Sequence, residues 1–428
     1  MTRPALAQLD RCNKCGFCLP TCPTYVRLEL EPASPRGRLA IAEEVAAGRQ
    51  AVDEYVAEQM YLCLGCRACE TACPSGVEFG VVLQDMRHQL DLAGVAAPGH
   101  QGLPTLLLEQ VITQPPRLRS LGRLFRWYQR SGLQVWVRRT GLLRRAFPAL
   151  AALEAGLPTE ATTTPAAPPN TEQADVAFFR GCIMDVLYRG TNNRSVHVLE
   201  RLGHSVTCPP GEVCCGALHA HAGRLDEART LARRNVEAFE ATGALAYVNA
   251  AGGCGAFLGE YGHLLADDPE WAQRAAEFSR RMRDFSVAVT QSPGWPDLAS
   301  TPGGGAMRVT YQDSCHLRHG QKVSAEPREI LGAIGGYVEL PGADTCCGSA
   351  GLYSLSHRGM SSRVLGDKIA VVADLAPDII VTTNPGCRMQ IQAGVAQAGL
   401  GERMTVVHLA DLLYAVLEGR MPERNDGA

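Results

Sequence analysis

The sequence lacks an excess of positive charge. A formal net charge of −3 over 428 residues gives no basic field for a nucleic-acid backbone, which sets that class of partner aside. It also lacks any run of 18 or more consecutive apolar residues, so no spanning helix is expected, and Met1 to Asp10 has no apolar segment behind a basic start. The chain is therefore expected in the cytoplasm. A dinucleotide fingerprint is missing as well. The glycine-rich runs Gly252-Gly253-Cys254-Gly255 and Gly303-Gly304-Gly305 do not form Gly-x-Gly-x-x-Gly between a strand and a helix. Any flavin or nicotinamide must then sit on another polypeptide.

What the sequence has in abundance is cysteine, 17 in all. In a reducing compartment an odd, dense set reads as metal ligation or redox chemistry rather than as a disulfide framework. The cysteines divide the chain. Residues 1–95 hold two tight clusters, 96–174 hold none, and the remaining nine lie widely spaced beyond residue 175. The middle region ends in Pro158 to Ala174, a Thr-, Pro- and Ala-rich stretch that reads as an extended linker. Four parts are expected: 1–95, 96–174, 175–300 and 301–428.

Cys12, Cys15, Cys18 and Cys22 are spaced C-x2-C-x2-C-x3-C and followed by Pro23, and Cys63, Cys66, Cys69 and Cys73 repeat the pattern before Pro74. In this ferredoxin spacing three thiolates clasp one 4Fe–4S cubane and the fourth reaches the other. The expected ligand sets are Cys12, Cys15, Cys18 and Cys73 for cluster 1, and Cys63, Cys66, Cys69 and Cys22 for cluster 2. Gly16 and Gly65 allow backbone turns that a β-carbon would obstruct. Structural zinc is the rival reading, but a four-cysteine zinc site needs neither the third C-x2 step nor the trailing C-P. A helix-like segment from Arg36 to Ala47 separates the motifs, which points to a helical ferredoxin domain.

The C-terminal region repeats itself. Cys182, Cys214-Cys215-Gly216 and Cys254 are separated by 31 and 38 residues; Cys315, Cys346-Cys347-Gly348 and Cys387 are separated by 30 and 39. Such matched intervals indicate an internal duplication. Strand-like segments (Val176–Phe179, Leu245–Asn249, Val309–Tyr311, Ile379–Thr383) alternate with amphipathic ones such as Leu225–Ala241 and Ser361–Leu375, which implies βαβ units and parallel sheets. Functional groups gather beyond the carboxyl ends of such strands. Cys182, Cys254, Cys315 and Cys387 all stand there. The fold class is therefore α+β multidomain, a helical two-cluster ferredoxin domain followed by duplicated α/β domains.

Two ferredoxin motifs, a linker and two Cys-Cys-Gly repeats together resemble the family of glycolate oxidase iron–sulfur subunits over nearly the whole chain. Arg180-Gly181-Cys182, Cys214 to His219, Asp313 to His316, Cys346 to Gly348 and Asn384 to Cys387 carry the likeness. Anaerobic glycerol-3-phosphate dehydrogenase, lactate-utilisation proteins and heterodisulfide reductase share the repeat. The resemblance implies an electron-transfer subunit with two 4Fe–4S clusters, FAD on partner subunits, oxidation of glycolate or another 2-hydroxy acid, and a quinone or other membrane acceptor. In heterodisulfide reductase each repeat ends in C-x2-C and holds a noncubane cluster; here Phe257 and Gln390 replace the last cysteine. Cys182, Cys214, Cys215 and Cys254, and Cys315, Cys346, Cys347 and Cys387, then have three readings. They hold a further cluster, or zinc aided by His219, His221, His316 or His319, or they pack as buried thiols.

From Arg117 to Arg145 there are nine arginines and no acidic residue, interleaved with leucines, Phe125, Trp127 and Trp136. A basic amphipathic helix of this kind suits a peripheral contact with the inner face of the cell membrane. A face docked on a partner subunit, or simply solvated, is the alternative.

Overall fold

In a computed structural model of the protein, residues 1–95, 115–147, 151, 154–158, 174–300 and 307–419 are described. Most of the Thr/Pro/Ala-rich linker and the Gly303–Gly305 run lie outside them. Among the described residues no helix is long and apolar enough to cross a membrane.

The N-terminal region is built from helices whose starts are written in the sequence. Ser34 accepts the Gly37 N–H at 2.9 Å and is followed by Pro35, so helix Pro35–Ala46 begins with a cap and a proline that has no N–H to strand. Asp53 caps helix Glu54–Tyr61 through the Val56 N–H at 3.0 Å. These helices and Phe79–Leu92 bury Leu39, Val56, Met60, Val82, Met86 and Leu90 in one core. Each large side chain buried there contributes about 2 kcal/mol of transfer free energy. The core holds the two cysteine loops at its edge.

The duplicated region carries two parallel sheets. Strands β1 (Val176–Phe179), β2 (Val206–Thr207), β3 (Ala246–Asn249) and β4 (Met282–Asp284) lie in the order β2-β1-β3-β4. Strands β5 (Val309–Tyr311), β6 (Ile379–Thr382) and β7 (Thr405–His408) lie in the order β5-β6-β7. A parallel bridge from Val309 to Tyr337 takes the place that β2 has in the first sheet. The repeat is thus visible in topology as well as in cysteine spacing. Helices Leu225–Glu240 and Arg358–Leu375 fall where amphipathic periodicity places them. The short strands β2, β4 and β7 carry no sequence signal strong enough to single them out.

The halves share one hydrophobic core, in which Val176, Phe178 and Val248 pack with Val309, Tyr311 and Ile379. Buried Asp411 clamps the seam, bonding Arg194 of the first half and Arg388 of the second, each at 2.8 Å. Burial alone would raise its carboxyl; the two guanidinium groups hold it down at about 2.

The helical domain docks on this body mainly through carbonyl oxygens. Arg87, which also holds the Cys63 carbonyl of its own domain, donates to the His221 carbonyl at 2.8 Å, and Tyr61 to that of Ala222 at 3.1 Å. From the other side Tyr353 donates to the Leu62 carbonyl at 3.0 Å and His316 Nε2 to that of Gly65 at 2.9 Å. Gly223 lies so close to the Arg87 backbone that a β-carbon would meet its carbonyl oxygen at 2.3 Å.

Candidate metal centres

The eight ferredoxin cysteines line two neighbouring cavities. Cys12, Cys15, Cys18 and Cys73 surround the outer one, with Cys69 on its inner wall. Cys22, Cys63, Cys66 and Cys69 surround the inner one. In each cavity three cysteines come from one motif, and the fourth, preceding proline, comes from the other. Cys69, Pro35 and Phe79 line both cavities, so the two spaces are separated by single side chains.

Local backbone geometry explains the loops and adds something the glycines alone do not reveal. Both loops take positive φ immediately before and immediately after their second cysteine. In the first loop these residues are Lys14 (φ 58°) and Gly16 (φ 87°); in the second they are Gly65 (φ 65°) and Arg67 (φ 64°). One glycine serves each loop, at opposite positions. Lys14 and Arg67 therefore carry a left-handed conformation that costs about 1 kcal/mol. Arg67 is held in it by ion pairs with Glu70 at 2.9 Å and with Glu260 of the first repeat.

The donor chemistry fits iron–sulfur clusters. The Gly65 N–H donates to Cys63 Sγ at 3.3 Å and the Val77 N–H to Cys73 Sγ at 3.4 Å, the kind of N–H···S contact that stabilises a metal-bound thiolate. Burial pushes the Cys66 and Cys69 thiols well above the usual thiol range. Without a metal to take the charge they stay protonated at neutral pH.

The repeat cysteines also converge. In the first half Cys182 Sγ donates to Cys214 Sγ at 3.5 Å, and the thiols of Cys214, Cys215 and Cys254 stand close enough to shift one another's ionisation. In the second, Cys315, Cys346, Cys347 and Cys387 form the same chain of thiol contacts. The Cys-Cys-Gly glycine makes this geometry: Gly216 and Gly348 have φ of 89° and 87°, and a β-carbon would press on Ala228 at 3.3 Å or on the Ser361 carbonyl at 2.6 Å. The strand-following cysteines stand at or just before helix starts, Cys182 opening Cys182–Leu187 and Cys387 inside the first turn of Pro385–Gln397.

Two details set the halves apart. Cys66 of the inner cavity packs with Cys315 and Cys346 of the second half in one buried cluster. The first half has His219, which is 2% exposed with both ring nitrogens unpartnered and close enough to Cys214 to interact with it electrostatically. Of the other histidines weighed for zinc, His316 bonds Gly65, while His319 bonds Thr71 and the Asp344 carbonyl. His221 stands beside His316 with ring centroids 5.4 Å apart. Among the described residues no three His, Cys, Asp or Glu side chains converge as the ligands of a single metal ion would. Sequence reasoning did not single out Lys14, Arg67 or Arg87; a non-glycine αL residue and a contact between distant segments leave no local signature.

The basic segment consists of three helices, Pro115–Arg130, Leu133–Thr140 and Leu142–Ala146, rather than one. Gly132 and Gly141, with φ of 76° and 62°, break it.

Comparison with known proteins agrees with this architecture. Residues 8–77 match the 4Fe-4S dicluster domain, 176–259 and 309–392 the CCG cysteine-rich domain, and 101–157 the linker region of the glycolate oxidase iron-sulfur subunit. The chain is 43% identical to the probable glycolate oxidase iron-sulfur subunit of Bacillus subtilis over 95% of its length and 93% of that protein's. It is 32% identical to the glycolate oxidase iron-sulfur subunit of Escherichia coli, over 96% and 94%. Lactate utilization protein A of Oceanobacillus iheyensis is 30% identical over 57% of this chain and 98% of its own length. Dicluster domain, linker and paired repeats occur here in one order, and two relatives match it from end to end, so the chain belongs to the glycolate oxidase iron–sulfur subunit family.

Proposed function

We propose that this iron–sulfur electron-transfer subunit takes electrons from FAD-bearing partner subunits that oxidise glycolate, and passes them towards a membrane quinone. The observation that carries the reading is the pair of four-cysteine cavities sharing Cys69, Pro35 and Phe79 as common wall. Cys12, Cys15, Cys18 and Cys73 would hold one 4Fe–4S cluster, and Cys63, Cys66, Cys69 and Cys22 the other. When bound, the clusters supply one-electron capacity between a two-electron donor and its acceptor. The protein's own residues bury Cys22 and Cys66 in the inner cavity, orient sulfurs with N–H donors, and leave the outer loop open to a partner: Cys15 is exposed and Phe17 is 65% exposed.

The repeat cysteines enter the same reading as further ligand sets. The thiol chain Cys315, Cys346, Cys347 and Cys387 adjoins the inner cavity through Cys66, and in the set Cys182, Cys214, Cys215 and Cys254 the Cys214 thiol has the unpartnered His219 near it. Both supply sulfur donors to additional iron or zinc. Lactate-utilisation relatives match only 57% of the chain, which puts glycolate ahead of lactate as the 2-hydroxy acid.

Anaerobically purified protein should contain about eight irons from the two cubanes, with acid-labile sulfide to match, and more iron if the repeats are loaded. Co-expressed with its flavoprotein partners it should support glycolate-dependent quinone reduction. Absence of sulfide would end the cluster reading; turnover with lactate but not glycolate would move the substrate.

A further inference from the structure

Two guanidinium groups lie buried beside the inner ferredoxin loop with neutral partners only. Arg38, 0% exposed, lines the inner cavity with Cys22, Cys63 and Cys66. Its Nε donates to the Gln59 carbonyl at 2.7 Å, and both terminal nitrogens donate to Thr24 Oγ1 at 3.3 Å, a hydroxyl that stands 3.2 Å from Cys22 Sγ. Arg87, 6% exposed, reaches the same loop from helix Phe79–Leu92. It donates to the Met60, Cys63 and His221 carbonyls, each at 2.8 Å, and lies 5.0 Å over the Tyr61 ring. Among the described residues neither side chain has a carboxylate partner.

The outer cavity differs. Lys14 and Arg36 in its wall are paired with Glu43 at 2.8 Å and Glu31 at 2.7 Å. Arg67, the third cation at the inner loop, is paired with Glu70 and Glu260. The inner surroundings thus hold three guanidinium groups against two carboxylates, whereas the outer wall holds two cations against two. A guanidinium stays charged in proteins, and a buried charge without a counter-charge is strongly unfavourable. Thiolates of the inner site can supply one: burial lowers the Arg87 guanidinium, and negative charge on Cys63 raises it. A 4Fe–4S centre in four thiolates is negative and gains a further negative charge on reduction, so fixed cations nearby favour the reduced form. Burial by itself favours the oxidised form, but the low dielectric responsible also strengthens the attraction of the guanidinium groups.

We infer that Arg38 and Arg87 are the counter-charges of the inner site and set its reduction potential above that of the outer site. An electron entering at the exposed loop then oxidises nothing further on its way: it leaves the outer site and reduces the inner one, beside Cys315 and Cys346 of the second repeat. The inference rests on the proposed assignment of the clusters and adds the direction of flow between them.

The test is an EPR-monitored redox titration of the full-length, cluster-loaded protein, with Cys15→Ser identifying the outer signal. In the unaltered protein the inner signal should appear first as the potential is lowered. Arg38→Gln and Arg87→Gln should each reduce the equilibrium constant for one-electron reduction of the inner site about tenfold, a fall of about 59 mV, and leave the outer midpoint in place. Arg38→Lys and Arg87→Lys, which keep the charge, should restore most of that loss. Earlier reduction of the outer site in the unaltered protein overturns the inference, and this comparison needs no arginine variant to fold. An unmoved inner midpoint in loaded Gln variants also overturns it. So does a Lys variant that falls as far as its Gln counterpart, because hydrogen bonding rather than charge would then set the potential. Two reducible signals in the opposite order leave the cluster reading standing, whereas protein without acid-labile sulfide removes both.

Discussion

The two ferredoxin motifs are identical in spacing and in their trailing proline, yet the fold gives them opposite surroundings. The outer loop is at the surface, with Cys15 exposed and Phe17 65% exposed, and Lys14 tied only to Glu43 and, through its carbonyl, to Arg36. The inner loop is enclosed: Cys66 packs against Cys315 and Cys346, Gly65 receives His316, and Arg67 spans to Glu260. Equal ligands in unequal dielectric surroundings should differ in potential and in reactivity. One motif reads as a port and the other as an interior relay.

The largest test of that contrast is to remove one ligand on each side. Cys66→Ser should abolish the inner cluster and glycolate-linked quinone reduction, and it should also loosen the contact with the second repeat. Cys15→Ser should halve the cubane iron but leave a folded protein with the melting behaviour of its remaining domains. Iron analysis and thermal unfolding of both variants decide it; equal destabilisation would mean the inner loop is no more integral than the outer.

Controlled exposure to air should come next in size. The outer cluster, with the exposed Cys15 thiolate, should be lost first, leaving an intermediate with about half the cubane iron and one reducible signal by EPR. Simultaneous loss of both signals would erase the distinction.

A smaller effect separates the two left-handed side chains. Arg67→Gly relieves strain but removes the guanidinium from Glu70, whose side chain is 4% exposed and keeps only the Gly80 N–H at 2.7 Å, and should cost about 3 kcal/mol in denaturant unfolding. Lys14→Gly loses only an exposed ion pair and should be neutral or stabilising by up to about 1 kcal/mol. If both variants behave alike, the second loop is not locked by its neighbours.

Much of this was readable along the chain. The C-x2-C-x2-C-x3-C-P motifs fall in loops whose sulfurs do gather in two cavities, because that spacing is a local property of a tight turn. The Cys-Cys-Gly duplication reappears as two parallel sheets of like order, because periodic apolar residues encode strands and helices independently of what they pack on. The basic segment was legible in composition but not in shape, since Gly132 and Gly141 adopt their left-handed turns only where the surrounding helices require them.

The amino-acid sequence by itself determined the cysteine spacing within each motif and the alternation of strand and helix, which depend on residues within a few turns of one another. Tertiary structure decided which ferredoxin loop is enclosed and that Cys66 meets Cys315 and Cys346. Those outcomes arise from segments some 250 residues apart being pressed into contact by shared burial, and nothing in the local pattern of either segment specifies its neighbour.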